Sequence, residues 1–307
     1  MRKCLAATLA VLLGTLGCEP AVVSQSELFT TRVLAIRADP PELVVPADGG
    51  LPPPVHFTVL SFSPDGGAPS VALALCVAGN PYGADSGCPG ENGIPLPDDT
   101  LDVANPQIAG LLLALDGGIP QSGLPPTEPG VLQVAIGYCA TTRGTAPEDC
   151  TPAGSGLSGD TEWGVYRLGV RFSGRPNHNP QLLSVSLTDG GSLAGALLPY
   201  GQSVTLTPAI PDGGLDASWP SVGIDGGVET YLGLDGGTFY EDLFFSWYAT
   251  APNVANFFSN EPTPSDTAET PYNQFNGAYP GPVTFYLVLR DGRGGTDWLV
   301  LDAGVLP

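Results

Sequence analysis

The sequence predicts an all-β protein built as two β-sandwich domains in tandem. Glycine and proline, 42 and 33 of the 307 residues, fall between short apolar runs, which is the punctuation of a turn-rich β-protein. Many of those runs alternate apolar and polar side chains, the period of a half-buried strand. Helical spacing with caps is absent from any longer stretch; Ile108–Leu115 is the best candidate for a short helix. The length exceeds that of one ordinary sandwich, so two are expected.

The amino terminus comes first. Met1-Arg2-Lys3 is basic, Leu5 to Leu13 is apolar, and Thr15-Leu16-Gly17-Cys18 closes the segment on a small residue before cysteine. An apolar run of about nine residues is far short of the ~20 that span a bilayer as a helix. The segment resembles a bacterial lipoprotein signal peptide, which implies that residues 1–17 are removed and that Cys18 receives a diacylglyceryl group and an amide-linked acyl chain such as palmitate. Several chains hold firmly where one binds marginally. Residues 18–31 are then a polar, lipidated tether. Glu19, rather than Asp, after the cysteine favours the outer membrane. The alternative is an ordinary secretory signal with an incidental cysteine.

Strands of a first sandwich over 32–173 are expected at Arg32–Ala38, His56–Phe62, Val71–Ala78, Val131–Thr141 and Gly164–Phe172. Of six cysteines, Cys4 leaves with the leader and Cys18 is lipidated. Cys76, Cys88, Cys139 and Cys150 remain, and an even number in an exported chain implies disulfides. Cys76 with Cys88 and Cys139 with Cys150 is the favoured pairing, because each pair brackets one Gly/Pro-rich loop leaving a strand. Free thiols or a four-cysteine metal site are the alternatives, but the spacings do not resemble the short pairs of structural zinc sites. No metal or cofactor is expected.

The prolines and glycine of Ser173-Gly-Arg-Pro-Asn-His-Asn-Pro180 disfavour helix and central strand alike, so 174–180 reads as an interdomain hinge. The second domain, 181–307, should contain strands at Gln181–Leu187, Gln202–Pro208, Leu243–Thr250, Pro282–Arg290 and Asp297–Val305. Gly201–Pro208, Phe244-Phe-Ser-Trp-Tyr248 and Val283–Gly295 resemble the B, C and F–G strands of immunoglobulin-like domains of the PKD type. The resemblance implies that Trp247 packs in the sandwich core and that Asp291-Gly292 turns the last hairpin. The whole chain, poor in lysine and rich in Asp-Gly-Gly, is similar to uncharacterised lipoproteins of myxobacteria.

Without the leader, eight basic residues, all arginine, face 31 acidic ones. Such a surface repels phosphate backbones, which argues against nucleic-acid partners. Asp-Gly-Gly begins at Asp48, Asp65, Asp116, Asp189, Asp212, Asp225 and Asp235. Calcium sites would need alternating acidic ligands or a fixed repeat period; with neither, the repeats read as turns, since these dipeptides supply positive φ. His56 and His178 are the only histidines, and no nucleophile elbow sits between a strand and a helix. The pairs Asp98-Asp99, Glu148-Asp149 and Glu241-Asp242 are adjacent acids of the sort that face solvent.

The connection over 251–281 is long for a loop. It carries Phe257, Phe258, Tyr272, Phe275 and Tyr279 among amides and hydroxyls. Aromatic faces beside amides suit a glycan or peptide; alternatively the segment contains the missing D and E strands and its aromatics are core. The expected function is that of a lipid-anchored, non-enzymatic structural or adhesive module of the cell envelope, whose partners are the membrane, through the lipid, and an envelope protein or glycan. The alternatives are a polysaccharide- or peptide-binding lipoprotein using the 251–281 loop, and a hydrolase.

Overall fold

The computed structural model describes residues 26–76, 93–110, 129–142, 161–210, 229–233, 236–241, 243–251, 254, 258–260, 273–277 and 279–307. Cys18, Cys88, Cys150, Phe257 and Tyr272 lie outside them. The protein is all-β, two immunoglobulin-like sandwiches in tandem. In the first, β1 (Arg32–Asp39), β3 (Val55–Phe62) and β6 (Thr100–Leu101) form one sheet. The other runs β2 (Glu42–Val44), β8 (Thr161–Arg171), β7 (Val131–Thr141), β4 (Ser70–Cys76), β5 (Gly93–Pro95). The opening strand splits at the cis Asp39–Pro40 bond: β1 pairs antiparallel with β3, and β2 crosses to lie parallel to β8.

The second sandwich repeats this plan. Strands β9 (Ser184–Leu187), β11 (Ser203–Ala209) and β16 (Asn273–Asn276) form the smaller sheet. The larger runs β10 (Leu197–Leu198), β18 (Thr296–Val305), β17 (Gly281–Arg290), β14 (Phe244–Ala249), β15 (Phe258–Asn260). Again a short strand, β10, lies parallel to the last one. A hairpin of β12 (Thr230–Leu232) and β13 (Thr238–Tyr240) stands beside it.

Alternation explains the cores. Phe245 and Trp247 of β14 point inward and pack with Phe275 and Phe285, whose rings meet edge to face at 4.8 Å. Trp247 is buried, as the resemblance implied. The first core is aliphatic, built from Leu43, Leu75, Leu101, Ile136, Leu168 and their neighbours around Phe57. Residues 106–110 are helical and bring Ile108 into it.

Turn chemistry follows the glycines at the Asp-Gly-Gly repeats that are described. Gly49, Gly66, Gly190 and Gly236 all have φ between +74° and +82°, and each N–H donates to the carbonyl three residues back. Asp48 and Asp189 spend a carboxylate oxygen on the amide of their own second glycine.

Three expectations are corrected. Phe275, offered as a binding residue, is fully buried in the core, and β15 and β16 lie within 251–281 as the alternative reading of that segment had it; an aromatic at an inward register position of a sheet edge is taken up by the sandwich. Tyr279 is 71% exposed. The polar tether does not extend to residue 31: Ser26 and Leu28 exchange backbone hydrogen bonds with Ala249, and Leu28 and Thr31 are buried. Nor is 174–180 a free hinge, since Asn177 and Pro180 are buried and Asn177 and Asn179 bond to both domains at the junction described below.

Cys76 and Cys139 are each disulfide-bonded. They cannot be bonded to each other: Cys139 faces Ala72 across the ladder, so Cys76 lies four residues, about 13 Å, further along its strand, beyond disulfide reach. The pairing with Cys88 or Cys150 falls outside the described residues.

Candidate functional site at the domain junction

Both faces of β14 are buried. Its inner face carries Phe245 and Trp247; its outer face carries Ser246 and Tyr248, and these are covered by the first sandwich. Tyr248 and Val288 of the second sandwich pack with Leu28, Leu34, Ala35 and Leu60, and Phe62 meets Tyr286 edge to face. An apolar seam therefore joins the strand pair β1–β3 to the larger sheet of the second domain.

Beside that seam lies a polar junction. Glu42 and Arg171, both buried, form a bidentate pair at 2.6 and 2.7 Å. Glu42 also accepts the backbone N–H of Asn177 at 2.9 Å. The Asn177 side chain reaches the second domain: its Nδ2 donates to Asp291 Oδ2 at 2.9 Å, and its Oδ1 accepts from Arg293 Nη1 at 2.9 Å. Asn179 does the same two residues on, donating to the Ala38 carbonyl and accepting from Thr296 N–H. Direct ties add Arg37 to Asp297 at 2.9 Å, Tyr166 Oη to the Gly294 carbonyl at 2.8 Å, and Arg290 Nη2 to the Leu34 carbonyl at 2.7 Å. A linker whose amides are consumed on both sides cannot swing without leaving buried polar groups unpaired, which costs ~1–3 kcal/mol each.

The Asp291-Gly292 segment lies between β17 and β18, in the last hairpin as the resemblance implied, and is the hub of the junction. Asp291 Oδ1 accepts N–H groups of Arg293 and Gly295. Gly295 is needed here, since a Cβ would stand 2.1 Å from Asp291 Oδ2 and 2.7 Å from the His178 carbonyl. Arg293 Nη1 lies 2.5 Å from Glu241 and 3.1 Å from Glu229, and His178 Nδ1 lies 2.6 Å from Glu229. Two carboxylates, those of Glu241 and Glu229, thus share one guanidinium, beside the Asp291 carboxylate that takes the backbone N–H of the same arginine. Burial, then Asp291 and Glu229, push the Glu241 carboxyl up to about 9 against the pull of Arg293. Burial also raises Asp291, although four hydrogen-bonding and charge interactions oppose it.

All seven described arginines gather here. Arg37, Arg171, Arg290 and Arg293 make the contacts above; Arg32 lies over the Tyr248 ring at 5.9 Å; Arg167 lines the adjoining cleft; Arg175 is in the linker. In a chain of net charge −21, this concentration is the signal that sequence reading missed. Arginine rather than lysine suits it, because the planar fork binds carboxylates in pairs of hydrogen bonds.

Between the domains opens a cleft of about 490 Å³. Its walls are Val33 to Ile36 of β1, Gln133 and Tyr138 of β7, Val165, Tyr166, Arg167 and Gly169 of β8, and Phe244, Arg290 and residues 292–296 of the second domain. Tyr138 lies across Gly164 on the neighbouring strand, where a Cβ would clash with its ring at 2.5 Å; burial, then Glu162, raise its hydroxyl to about 12. Glu162, raised by burial, accepts the Val33 N–H.

The other sequence candidates lie apart. His56 is exposed against Thr100, and His178 belongs to the junction. Tyr279 is exposed on the second sandwich, two residues beyond Gly277, whose carbonyl accepts the Gly201 N–H. Among the described residues no three His, Cys, Asp or Glu side chains are grouped to hold a metal ion, and no helix is long and apolar enough to cross a membrane.

No family model and no curated protein matches the chain. Among solved structures, the D0-D1 domain of Intimin aligns over 90% of this chain and 99% of its own, at 11% identity and a TM-score of 0.24. The D00-D0 domain of Intimin aligns over 89% and 100%, at 7% identity and a TM-score of 0.23.

Proposed function

We propose that the chain is a non-enzymatic structural or adhesive module of the cell envelope, held at the membrane through a lipidated Cys18. The observation that carries this reading is the junction. Two sandwiches are joined by an apolar seam and by a linker whose Asn177 and Asn179 bond to both domains, so the pair makes a single body suited to presenting a surface at a set distance. The amino-terminal segment is fastened to β14 from Ser26 onward, eight residues after Cys18 in the sequence. The large acidic excess keeps such a body apart from anionic headgroups. Exposed Tyr200 and Tyr279 mark where an envelope protein or glycan partner would meet the second sandwich.

Cell fractionation and intact-mass analysis of the native chain and of Cys18→Ser test the reading together. The native chain should sediment with membranes and carry the mass of an acylated Cys18, and Cys18→Ser should be released and behave in adhesion and envelope-integrity assays like a deletion. A native mature terminus that begins elsewhere, or a released variant with full activity in those assays, overturns it.

A further inference from the structure

The pole of the second sandwich away from the junction has its own chemistry. Strand β18 begins beside the linker, where Thr296 N–H donates to Asn179, and runs about 30 Å to Val305. Val305 is the centre of that far pole. It pairs with Leu198 on one side and Gly281 on the other, a Cβ on Gly277 would stand 2.7 Å from its side chain, and the next residue, Leu306, donates its N–H to the Leu198 carbonyl. Gly201 N–H joins the same group through the Gly277 carbonyl. Leu197, Tyr200, Tyr279 and Leu306 each lie within two residues of one of these positions, and they are four of the ten large apolar side chains that stand exposed among the described residues. The stretches that reach the pole, residues 190–210, 273–277, 279–289 and 303–307, contain no Asp, Glu, Lys, Arg or His, although charged residues are 13% of the chain. The nearest acid along β18, Asp302, accepts the Thr284 hydroxyl at 2.7 Å.

We infer that this pole is a docking surface for a second copy of the chain, the two copies meeting tip to tip about a twofold axis. At a net charge of −21 two copies repel one another over most of their surface, and the charge-free pole is where they can touch with their acidic bodies held apart. A cationic partner would find its complement elsewhere, on the acidic surface. A patch without charge needs no opposite charge to match it, so a twofold contact makes it its own complement. Tyrosine in a setting depleted of charge is also the composition of an interface core. Packing Leu197, Tyr200, Tyr279 and Leu306 against their copies removes from water apolar area that a lone molecule leaves exposed. This deepens the adhesive reading and rests on it for its purpose, since a self-complementary tip joins one envelope-held body to another; the association itself needs no lipid.

The test is sedimentation equilibrium of the full chain carrying Cys18→Ser, so that no lipid contributes, alone and combined with Tyr279→Asp, with Leu197→Asp or, as a control on the first sandwich, with Leu51→Asp. All three side chains are at least two-thirds exposed, so the melting temperature of the parent should be kept. The parent should dimerise with a Kd of about 1–100 µM, and more tightly as added salt screens the acidic bodies. Each pole variant sets two like charges against each other across the twofold axis and should weaken the dimer about tenfold or more, whereas Leu51→Asp should dimerise as the parent does. The inference is overturned if the parent stays monomeric up to about 0.1 mM, if either pole variant dimerises unchanged, if Leu51→Asp is as damaging, if salt weakens the dimer, or if both pole variants melt lower, which would make these side chains packing residues. A monomer that binds the neutral polysaccharide dextran through Tyr279 would make the pole a glycan site and overturn it equally. A native chain without acylated Cys18 would leave a dimer standing, and a monomer would leave the lipid anchor standing.

Discussion

The two sandwiches share one strand order and differ in the chemistry that holds it. The first runs β2-β8-β7-β4-β5 over β1-β3-β6, the second β10-β18-β17-β14-β15 over β16-β11-β9. In the first the core is aliphatic, and strands β4 and β7 carry the disulfide-bonded Cys76 and Cys139. In the second, which contains no cysteine, the equivalent strands β14 and β17 carry Trp247 and Phe285 in a core with Phe245 and Phe275. Large rings bury more apolar area per residue than aliphatic side chains do, while covalent loops lower the entropy of the unfolded chain. The same topology is thus secured by an aromatic core in one half and by an aliphatic core with cross-linked cysteines in the other.

The largest expected effect tests the aromatic half. Trp247→Ala removes a fully buried ring and leaves a cavity, a loss of ~3–5 kcal/mol from a domain with ~5–15 in reserve. The midpoint of denaturation should fall by a similar amount with or without reductant, because no disulfide compensates in that half. A melting temperature unchanged from wild type would remove the tryptophan from the core and undo the comparison.

Reduction tests the other half and should be smaller. Loops of the length between Cys76 and Cys88, or Cys139 and Cys150, contribute ~2–3 kcal/mol by chain entropy. Peptide mapping without reductant should recover those two crosslinked pairs, and reduction should unfold the first sandwich at lower denaturant while leaving Trp247 shielded. Recovery of Cys76 with Cys150 would mean that the two loops meet in space; that pairing would close much longer loops and give a larger loss on reduction.

The long strands were legible because alternation needs several residues to show, and the ten predicted runs have that length. Among the described residues, the strands that were missed, such as Leu197–Leu198 and Glu42–Val44, are too short to carry a period; most exist because an edge of an already formed sheet accepts two or three backbone hydrogen bonds, while β12 and β13 pair with each other. Trp247 was legible as an aromatic in an alternating run. The junction was not, since Glu42, Arg171, Asn177 and Asp291 meet across more than a hundred residues and no local pattern records such a meeting. Two traces were present: arginine as the sole cation outside the leader, and Asn-His-Asn between prolines in a segment whose amides had to be satisfied somewhere.

The junction belongs to neither half, and its contribution changes gradually with pH. Glu241 has its carboxyl raised to about 9 by burial and by Asp291 and Glu229, and Asp291 is raised in the same direction. The folded protein therefore keeps a proton that the unfolded chain, with an ordinary carboxyl near 4.5, releases. This contribution to stability is fully present below that ordinary value and is lost as pH rises through the folded one, at no more than about 1.4 kcal/mol per pH unit for each group. Denaturation midpoints followed from pH 5 to 9 should decline. Glu241→Gln keeps an oxygen for Arg293 but cannot ionise, so it should flatten the decline while leaving the low-pH midpoint near wild type. A midpoint that rises with pH over this range, or a slope that Glu241→Gln leaves intact, would show that Glu241 stays ionised against Arg293 and that the three carboxylates divide their charge in some other way.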